Sequence, residues 1–169
     1  MKSDIQLGNM DMAVYLNEIR RLEDCTVLIA VRDVHGFCIT EDIIDGLKSL
    51  GFDQADILRD QEYHSFIGIW TSGKVVYQNV GGDEMISHGQ YLNNHYLYLK
   101  SATWSSGNVA EVYIDHIAYA VNNRGFNIVT MDNVQDTFID SVVYDTHAED
   151  IPLYRLTDGD KTFIQSTRR

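Results

Sequence analysis

Proline is almost missing from this chain, since Pro152 is the only one among 169 residues. With so little proline and 44% apolar residues, a disordered chain or a proline-rich linker is excluded. Cysteine is scarce too, and Cys25 and Cys38 lie outside any CxxC pair. Two cysteines cannot build a disulfide framework. We therefore expect two reduced structural thiols, with a Cys25–Cys38 bridge as the alternative.

Positively charged residues are also few. The chain has 13 Lys and Arg against 25 Asp and Glu, which gives a net charge of −12. Such a surface repels the phosphates of nucleic acids and the headgroups of anionic membranes. We therefore predict no nucleic-acid and no membrane partner, and we favour a neutral glycan or a protein. The alternative is that the charge only keeps the protein soluble.

Long apolar segments are missing as well. No stretch approaches the length needed to cross a bilayer. The first residues, MKSDIQLGNMDM, contain no apolar core typical of a signal peptide. We therefore predict a protein without a signal peptide that is made in the cytoplasm, and incorporation in a virion is compatible with this.

Motifs for catalysis and metal binding are absent too. The six histidines are scattered, without HxxxH or HExxH spacing. No GxSxG, GxGxxG or GxxxxGKS/T motif occurs, and neither cysteine lies in a known nucleophile motif. We therefore predict no catalytic residue, no metal site and no cofactor. An enzyme of an unrecognised type is the remaining alternative.

The chain does contain clear helix and strand patterns. Apolar spacing predicts a helix over residues 11–22, and a second helix begins after Thr40 and ends at Gly51. The apolar run at 26–31 predicts a central strand that is buried on both faces. Further strands are predicted at 66–70 and 75–80, joined as a hairpin, and at 95–101, 109–114, 126–131 and 138–144.

Two segments carry weaker patterns. Residues 82–94 are polar and contain two glycines, so we predict a connector there. Residues 151–169 contain short strand-like runs around a turn signal at 157–160. In total the patterns predict about eight strands and two helices.

The C-terminal half carries short motifs in a recognisable order. They are Ser101-Ala102, Gly107-Asn108, Val112–Asp115, Arg124–Val129, Asp132 and Tyr144–Thr146. Together they resemble the first half of the interleukin-like EMT inducer (ILEI/PANDER) domain family. The N-terminal half resembles the second half of that domain. Its motifs are Tyr15–Leu22, Val27–Asp33, Ile43–Gly51, Arg59-Asp60 and Phe66–Gly68.

The two halves thus stand in the reverse of the family order. This predicts a circular permutation in which residues 82–94 join the family's usual ends. Exchange of half-domains between two chains produces the same order and is the alternative. We expect an N-terminal arm at 1–9, the ILEI-like domain at 10–150 and a strand-like tail at 151–169.

The resemblance implies an α+β fold, with β-sandwich-like sheets and two helices packed on one side. The family includes secreted signalling proteins, a glycan-binding stem domain of a glycosyltransferase and bacteriophage structural proteins, none of which uses the domain as an enzyme. It therefore implies a non-catalytic binding or assembly module of a phage tail or other virion, which recognises a neutral glycan or a protein. A purely structural, oligomerising connector without a small ligand is the alternative. In either case the tail at 151–169 suits pairing with a neighbouring subunit.

Polar residues flank three of the predicted strands. In the glycan-binding relative, positions that match Asp33, Arg59 and Arg124 help to hold the sugar. Arginine donors and aspartate acceptors suit sugar hydroxyls, and an aromatic ring adds a stacking face. The candidate ligand-binding residues are Asp33, Arg59, Asp60, Tyr63, His64 and Arg124. The alternative is an internal Arg–Asp network that fixes loops, and both readings predict that Asp33, Arg59 and Arg124 lie within reach of one another.

Overall fold

A computed structural model describes residues 7–156 and the backbone of residues 163–165. In these residues the α-helices are α1 (Met12–Arg20) and α2 (Glu41–Leu50), and 3₁₀ turns cover Gly36–Cys38, Asp53–Arg59 and Trp104–Ser106. The strands are β1 (Cys25–Arg32), β2 (Val34–His35), β3 (Tyr63–His64), β4 (Phe66–Thr71), β5 (Lys74–Val80), β6 (Ile86–Leu92), β7 (His95–Ser101), β8 (Ala110–Ile114), β9 (Ile117–Ala118), β10 (Gly125–Asp132), β11 (Thr137–Tyr144), β12 (Leu153–Leu156) and β13 (Phe163–Gln165).

The larger sheet is antiparallel and has the order β13-β12-β11-β10-β1-β4-β5. Strand β1 lies in its middle, between β10 and β4, and all but its last residue are buried. The continuous apolar run at 26–31 is what a strand covered on both faces requires. Strands from the two halves of the chain thus share one sheet, in two contiguous blocks that meet where β10 pairs with β1.

A second antiparallel sheet, β6-β7-β8-β9, covers one face of the larger sheet. Apolar residues alternate along its strands, so that Leu97, Leu99 and Val112 pack against Leu28 and Ile69 of the larger sheet. Each fully buried side chain of this kind contributes about 1.5–3 kcal/mol relative to an exposed one.

The two α-helices cover the opposite face of the larger sheet. Their apolar residues, among them Leu16, Ile44 and Leu47, pack against Val27 and Ile29 of β1. The molecule thus has three layers, with helices on one side only, and the predicted α+β sandwich-like fold is confirmed at this level. Beneath the helices, Tyr15 of α1 donates a hydrogen bond to the buried Asp140 at 2.5 Å.

Helix α2 begins and ends where the sequence predicts. Thr40 precedes it with an extended backbone, and Glu41 and Asp42 occupy its first turn, where carboxylates favour the helix dipole. Gly51 follows it with φ 110° and accepts this conformation because it lacks a Cβ. Helix α1 is shorter than predicted and ends at Arg20.

The predicted connector at 82–94 is wrong, because β6 occupies Ile86–Leu92 and pairs with β7 along its whole length. The polar composition obscured this strand, which lies at the edge of the smaller sheet and exposes alternate residues. Edge strands tolerate polar side chains because one of their faces and one backbone edge remain in water.

The C-terminal tail also departs from the expectation of a separate segment. Strand β12 pairs with β11 of the same chain, with Tyr144 opposite Leu153, and thereby extends the larger sheet. Arg155 in β12 donates to Asp140 at 2.8 Å and to Asn9 of the N-terminal arm at 2.8 Å. The turn predicted at 157–160 lies outside the described residues.

The N-terminal arm and the two cysteines complete the description. Residues 1–6 of the predicted arm lie outside the described part of the chain. Beyond them, the carbonyl of Met10 accepts a hydrogen bond from the Tyr144 hydroxyl at 2.8 Å. Cys25 and Cys38 are both thiols, as predicted, so the alternative of a bridge between them is excluded.

Candidate functional site

Loops from four parts of the chain meet at one end of the sheets and line a cleft of about 330 Å³. The cleft-lining residues are Asp33, Tyr63, Asp83, Thr103, Trp104 and Ser105. We call this the rim cleft. Strands β1 and β7 place it, because Arg32 and Ala102 form a parallel bridge just where both strands end. The two loops that follow these strands are therefore held side by side.

Asp33 is held by backbone contacts on both sides. Its amide donates to the carbonyl of Ala102 at 3.1 Å. Its Oδ1 accepts a hydrogen bond from the amide of Trp104 at 2.9 Å. The residue has φ 53°, a left-handed conformation that aspartate tolerates better than most residues. Its second oxygen accepts no hydrogen bond within the described part of the chain and is available to a ligand.

Asp83 forms the second acidic wall of the cleft. Its Oδ1 accepts hydrogen bonds from the hydroxyls of Thr103 and Ser105, the latter at 2.7 Å. The bond from Thr103, followed by that from Ser105, lowers the pKa of this carboxyl. Asp83 is therefore ionised at neutral pH and can only accept hydrogen bonds.

Aromatic side chains at the cleft are exposed to solvent. Trp104 is 72% exposed and Phe37, on the adjoining 3₁₀ turn, is 75% exposed. Tyr63 packs edge-on against His35, with ring centroids 4.8 Å apart, and stacks on His147 at 6.2 Å. Burying such rings normally stabilises a protein, so their exposure beside a polar cleft makes this surface a candidate for ligand recognition.

The turn that carries Trp104 is itself rigid. Thr103 and Ser106 form a capping box, in which the amide of Thr103 donates to the Ser106 hydroxyl at 2.9 Å. Asn108 donates its amide to the Thr103 carbonyl at 2.7 Å and closes the turn. The indole is thus presented on a fixed backbone, which reduces the entropy lost when a ligand binds.

Arg124 lies beside the cleft and is held by Asp145. Its Nε and Nη2 donate to the two oxygens of that carboxylate, both at 2.9 Å. The hydrogen bonds that Arg124 donates to Asp145 raise the pKa of Arg124, and the charge of Asp33 adds to this effect. Asp33 and Arg124 are therefore close enough to interact, and Arg124 retains donors for a ligand.

The nearby histidine and cysteine are not chemically activated. Burial, and then the positive charge of Arg124, lowers the pKa of His147. Its Nε2 accepts a hydrogen bond from the amide of His35 at 3.0 Å. Burial raises the pKa of Cys38, so its thiol stays protonated and poorly nucleophilic.

Arg59 does not line the rim cleft, and its hydrogen-bond partners are other carboxylates than Asp33. The guanidinium of Arg59 donates to both oxygens of Glu41 at 2.9 Å and also to Asp56. Arg59 ends the 3₁₀ turn beside α2, where acidic side chains are its nearest partners. The sequence pattern could not distinguish these partners from Asp33.

Two other predicted site residues, His64 and Asp60, form hydrogen bonds within the protein instead of facing the cleft. His64 is only 6% exposed and cannot offer a stacking face, whereas Tyr63 is 41% exposed and can. The ring nitrogens of His64 bond to the carbonyl of Gly81 at 2.9 Å and to Asp60 at 2.7 Å. Asp60 is thereby engaged in bracing β3 against the loop after β5.

Sequence reasoning missed Asp83, Thr103, Trp104 and Ser105. Asp83 lies in the segment that was interpreted as a connector. The signal for the others was a tryptophan inside the short polar turn TWSSG, where an aromatic residue has no core to join. Such a residue is a candidate ligand contact even before the structure is known.

Comparison with known proteins finds no matching family model, no matching curated protein and no matching solved structure. The resemblance to the ILEI family therefore remains a prediction. Across residues 7–156 and 163–165, no group of three or more His, Cys, Asp or Glu residues is arranged to hold a metal ion. The same residues include no helix that is long and apolar enough to span a membrane.

Proposed function

We propose that this chain is a non-catalytic carbohydrate-binding module and that the rim cleft holds a neutral glycan. The observation that carries the proposal is the exposed indole of Trp104, which lines the same cleft as the carboxylates of Asp33 and Asp83. An aromatic face beside rigid hydrogen-bonding groups is what the two kinds of surface on a sugar ring require.

The charges of the cleft specify the ligand further. Asp33 and Asp83 can only accept hydrogen bonds, so the ligand must donate them, as sugar hydroxyls do. Arg124 supplies a complementary donor for a ring or hydroxyl oxygen. An acidic glycan would be repelled by the two carboxylates and by the net charge of −12.

The contacts of the cleft hydroxyls favour binding over catalysis. Thr103 and Ser105 both donate to Asp83, whose lowered pKa makes it a weak base. A nucleophilic hydroxyl needs a base with a pKa near neutrality. These two hydroxyls are better suited to hold Asp83 in place for a ligand.

The molecular setting is part of the same proposal. We assign the chain to a circularly permuted ILEI-like domain that works in a phage tail or other virion. The cyclic order of the motifs supports the permutation, as does the approach of Met10 and Asn9 to Tyr144 and Arg155, which brings the chain's two end regions together. A binding module on a particle surface needs no catalytic group.

A glycan array followed by calorimetry with the best ligand tests this function. We expect a neutral glycan to bind, and Trp104→Ala to remove the binding without changing the melting temperature. The matched control is Tyr91→Ala, which removes a 77% exposed ring on a different sheet face and should bind normally. The absence of any glycan ligand, or equal loss of binding in both variants, would refute the proposal.

A further inference from the structure

The outer face of the smaller sheet is covered by aromatic rings. Tyr96 and Tyr98 alternate along β7 with the buried Leu97 and Leu99, so both tyrosines point away from the core. We call the outward-facing set Tyr91, Tyr96, Tyr98, Tyr113 and His116 the tyrosine face. The tyrosine face shares no residue with the rim cleft.

The rings lie beside one another across the strands. Tyr98 is paired with Tyr113 and Tyr91 with Tyr96, with ring centroids 6.3 Å and 5.1 Å apart. His116 lies 5.7 Å from Tyr96. The rings are tilted rather than stacked, and Tyr96, Tyr98, Tyr113 and His116 together line a shallow cleft of about 360 Å³.

Gly89 of β6 makes room for this arrangement. A Cβ at position 89 would lie 2.3 Å from the Tyr96 hydroxyl, so a larger residue there would displace the end of that ring. None of the hydroxyls of Tyr91, Tyr96, Tyr98 and Tyr113 makes a hydrogen bond within the described part of the chain. Cross-strand packing accounts for the ring pairs, but it does not account for a concave face made of ring carbon.

The electrostatics of this face favour a cation. The Nζ of Lys100 lies 6.0 Å from the centroid of Tyr98, so one cation of the chain already lies near an aromatic ring. Lys100 is in turn 3.9 Å from Glu111. The faces of aromatic rings attract cations, and the net charge of −12 raises the local concentration of positive ligands.

We propose that the tyrosine face binds a small soluble cation with a quaternary ammonium group, of which choline is the simplest. The three tyrosine rings and the imidazole that line the shallow cleft supply the ring surface that such a group needs. A neutral sugar would find apolar walls but few fixed hydrogen-bonding partners here. The proposal is independent of the rim cleft and stands or falls separately from the proposed function.

Nuclear magnetic resonance titration at constant ionic strength tests the proposal. Choline chloride is compared with 3,3-dimethyl-1-butanol, which has the same shape without the charge. We expect choline to shift the ring signals of Tyr96, Tyr98 and Tyr113 and to bind about tenfold more tightly than the alcohol. Equal affinities, or shifts confined to other surfaces, would overturn the proposal.

Variants separate cation binding from a merely apolar surface. Tyr98→Leu should weaken choline binding about tenfold, whereas Tyr98→Phe should keep it within about threefold because the ring remains. Lys100→Met removes a competing charge and should strengthen binding about threefold, and Glu111→Gln should weaken it. Unchanged or weaker binding by Lys100→Met contradicts the proposal, as does full binding by a folded Tyr98→Leu.

Two controls define the ligand and the site. Trp104→Ala, in the rim cleft, should bind choline like the unaltered protein. Phosphatidylcholine vesicles should not sediment the protein, because the proposed ligand is a free cation. Sedimentation that depends on Tyr98 would instead assign a lipid headgroup and overturn the proposal as stated.

Discussion

The two ends of β1 and β7 carry polar residues of very different character. At the end that follows Arg32 and Ser101, the rim cleft presents exposed rings and carboxylates with free acceptor capacity. At the opposite end lies a larger cleft, of about 640 Å³. There His95 is bound on both sides, by Asp115 at Nδ1 and by Asp136 at Nε2, each at 2.5 Å.

Other groups in the larger cleft also bond to one another. The hydroxyl of Thr26 lies 2.9 Å from that of Thr71 and donates to Asn133 at 2.8 Å, and Asn133 donates back to Thr71 at 3.2 Å. These bonds join the ends of β1, β4 and β10 within the larger sheet, whereas the bond between His95 and Asp136 joins the two sheets. We therefore place the proposed ligand site by its open acceptors and exposed rings rather than by cleft volume.

The sharpest test of this difference is Trp104→Ala. Loss of a central exposed ring should reduce glycan affinity at least about a hundredfold, as for a binding hot spot. Stability should change little, because the indole is 72% exposed. Calorimetric titration and thermal unfolding of the same sample measure both effects.

Arg124→Ala tests whether the rim also supports the fold. The change leaves Asp145, whose side chain is 11% exposed, without its bidentate partner. We expect a loss of about 1–3 kcal/mol in unfolding free energy, together with weaker glycan binding. Chemical denaturation measures the stability, and an unchanged midpoint would show that Arg124 serves only the ligand.

His95→Gln should affect stability at the opposite end without affecting glycan binding. The hydrogen bonds of His95 to the acceptors Asp115 and then Asp136 raise the pKa of His95. Its contribution to the free energy of unfolding is therefore complete below the unfolded pKa of about 6.5 and is lost as the pH rises through the folded pKa. The hydrogen bond with His95 lowers the pKa of Asp115, so the stabilisation by this pair also falls in strong acid. Because these side chains are partly exposed, we expect His95→Gln to lower the free energy of unfolding by less than about 1 kcal/mol.

Melting temperatures of the His95→Gln and unaltered proteins, measured from pH 4 to about 9, check this prediction. The difference between them should be largest in mildly acidic solution and should shrink toward alkaline pH. A difference that grows with rising pH would contradict the assigned hydrogen bonds.

Arg59→Ala should have the smallest effect. Arg59 pairs with the exposed carboxylates of Glu41 on α2 and Asp56 on the 3₁₀ turn, and it does not line the rim cleft. Solvent screens such pairs, so we expect no resolvable change in melting temperature or in glycan affinity. A clear loss of glycan binding would show that Arg59 belongs to the ligand site, as the sequence analysis predicted.

Periodicity predicted the fold well where burial dictates the residue type. The apolar run of β1, the first and last residues of α2 and the β4–β5 hairpin all follow local rules that the structure obeys. Strand β6 escaped prediction because its polar residues suit the edge of a sheet as well as a loop.

The site was less predictable than the fold. Asp33 and Arg124 could be proposed from strand ends, yet the partner of Arg59 depends on how α2 packs. Asp83 and Trp104 meet only because loops after β5 and β7 converge, which no local pattern encodes. Long-range placement, rather than residue type, is therefore what the sequence left open.

The proposed function requires that glycan binding is confined to the rim end of the sheets. Amide chemical-shift mapping with the best neutral glycan tests it most directly. We expect amide chemical-shift changes at Asp33, Asp83, Trp104 and Ser105, and none at His95, Asn133 and Asp136. Shifts centred on His95 and the larger cleft would contradict it.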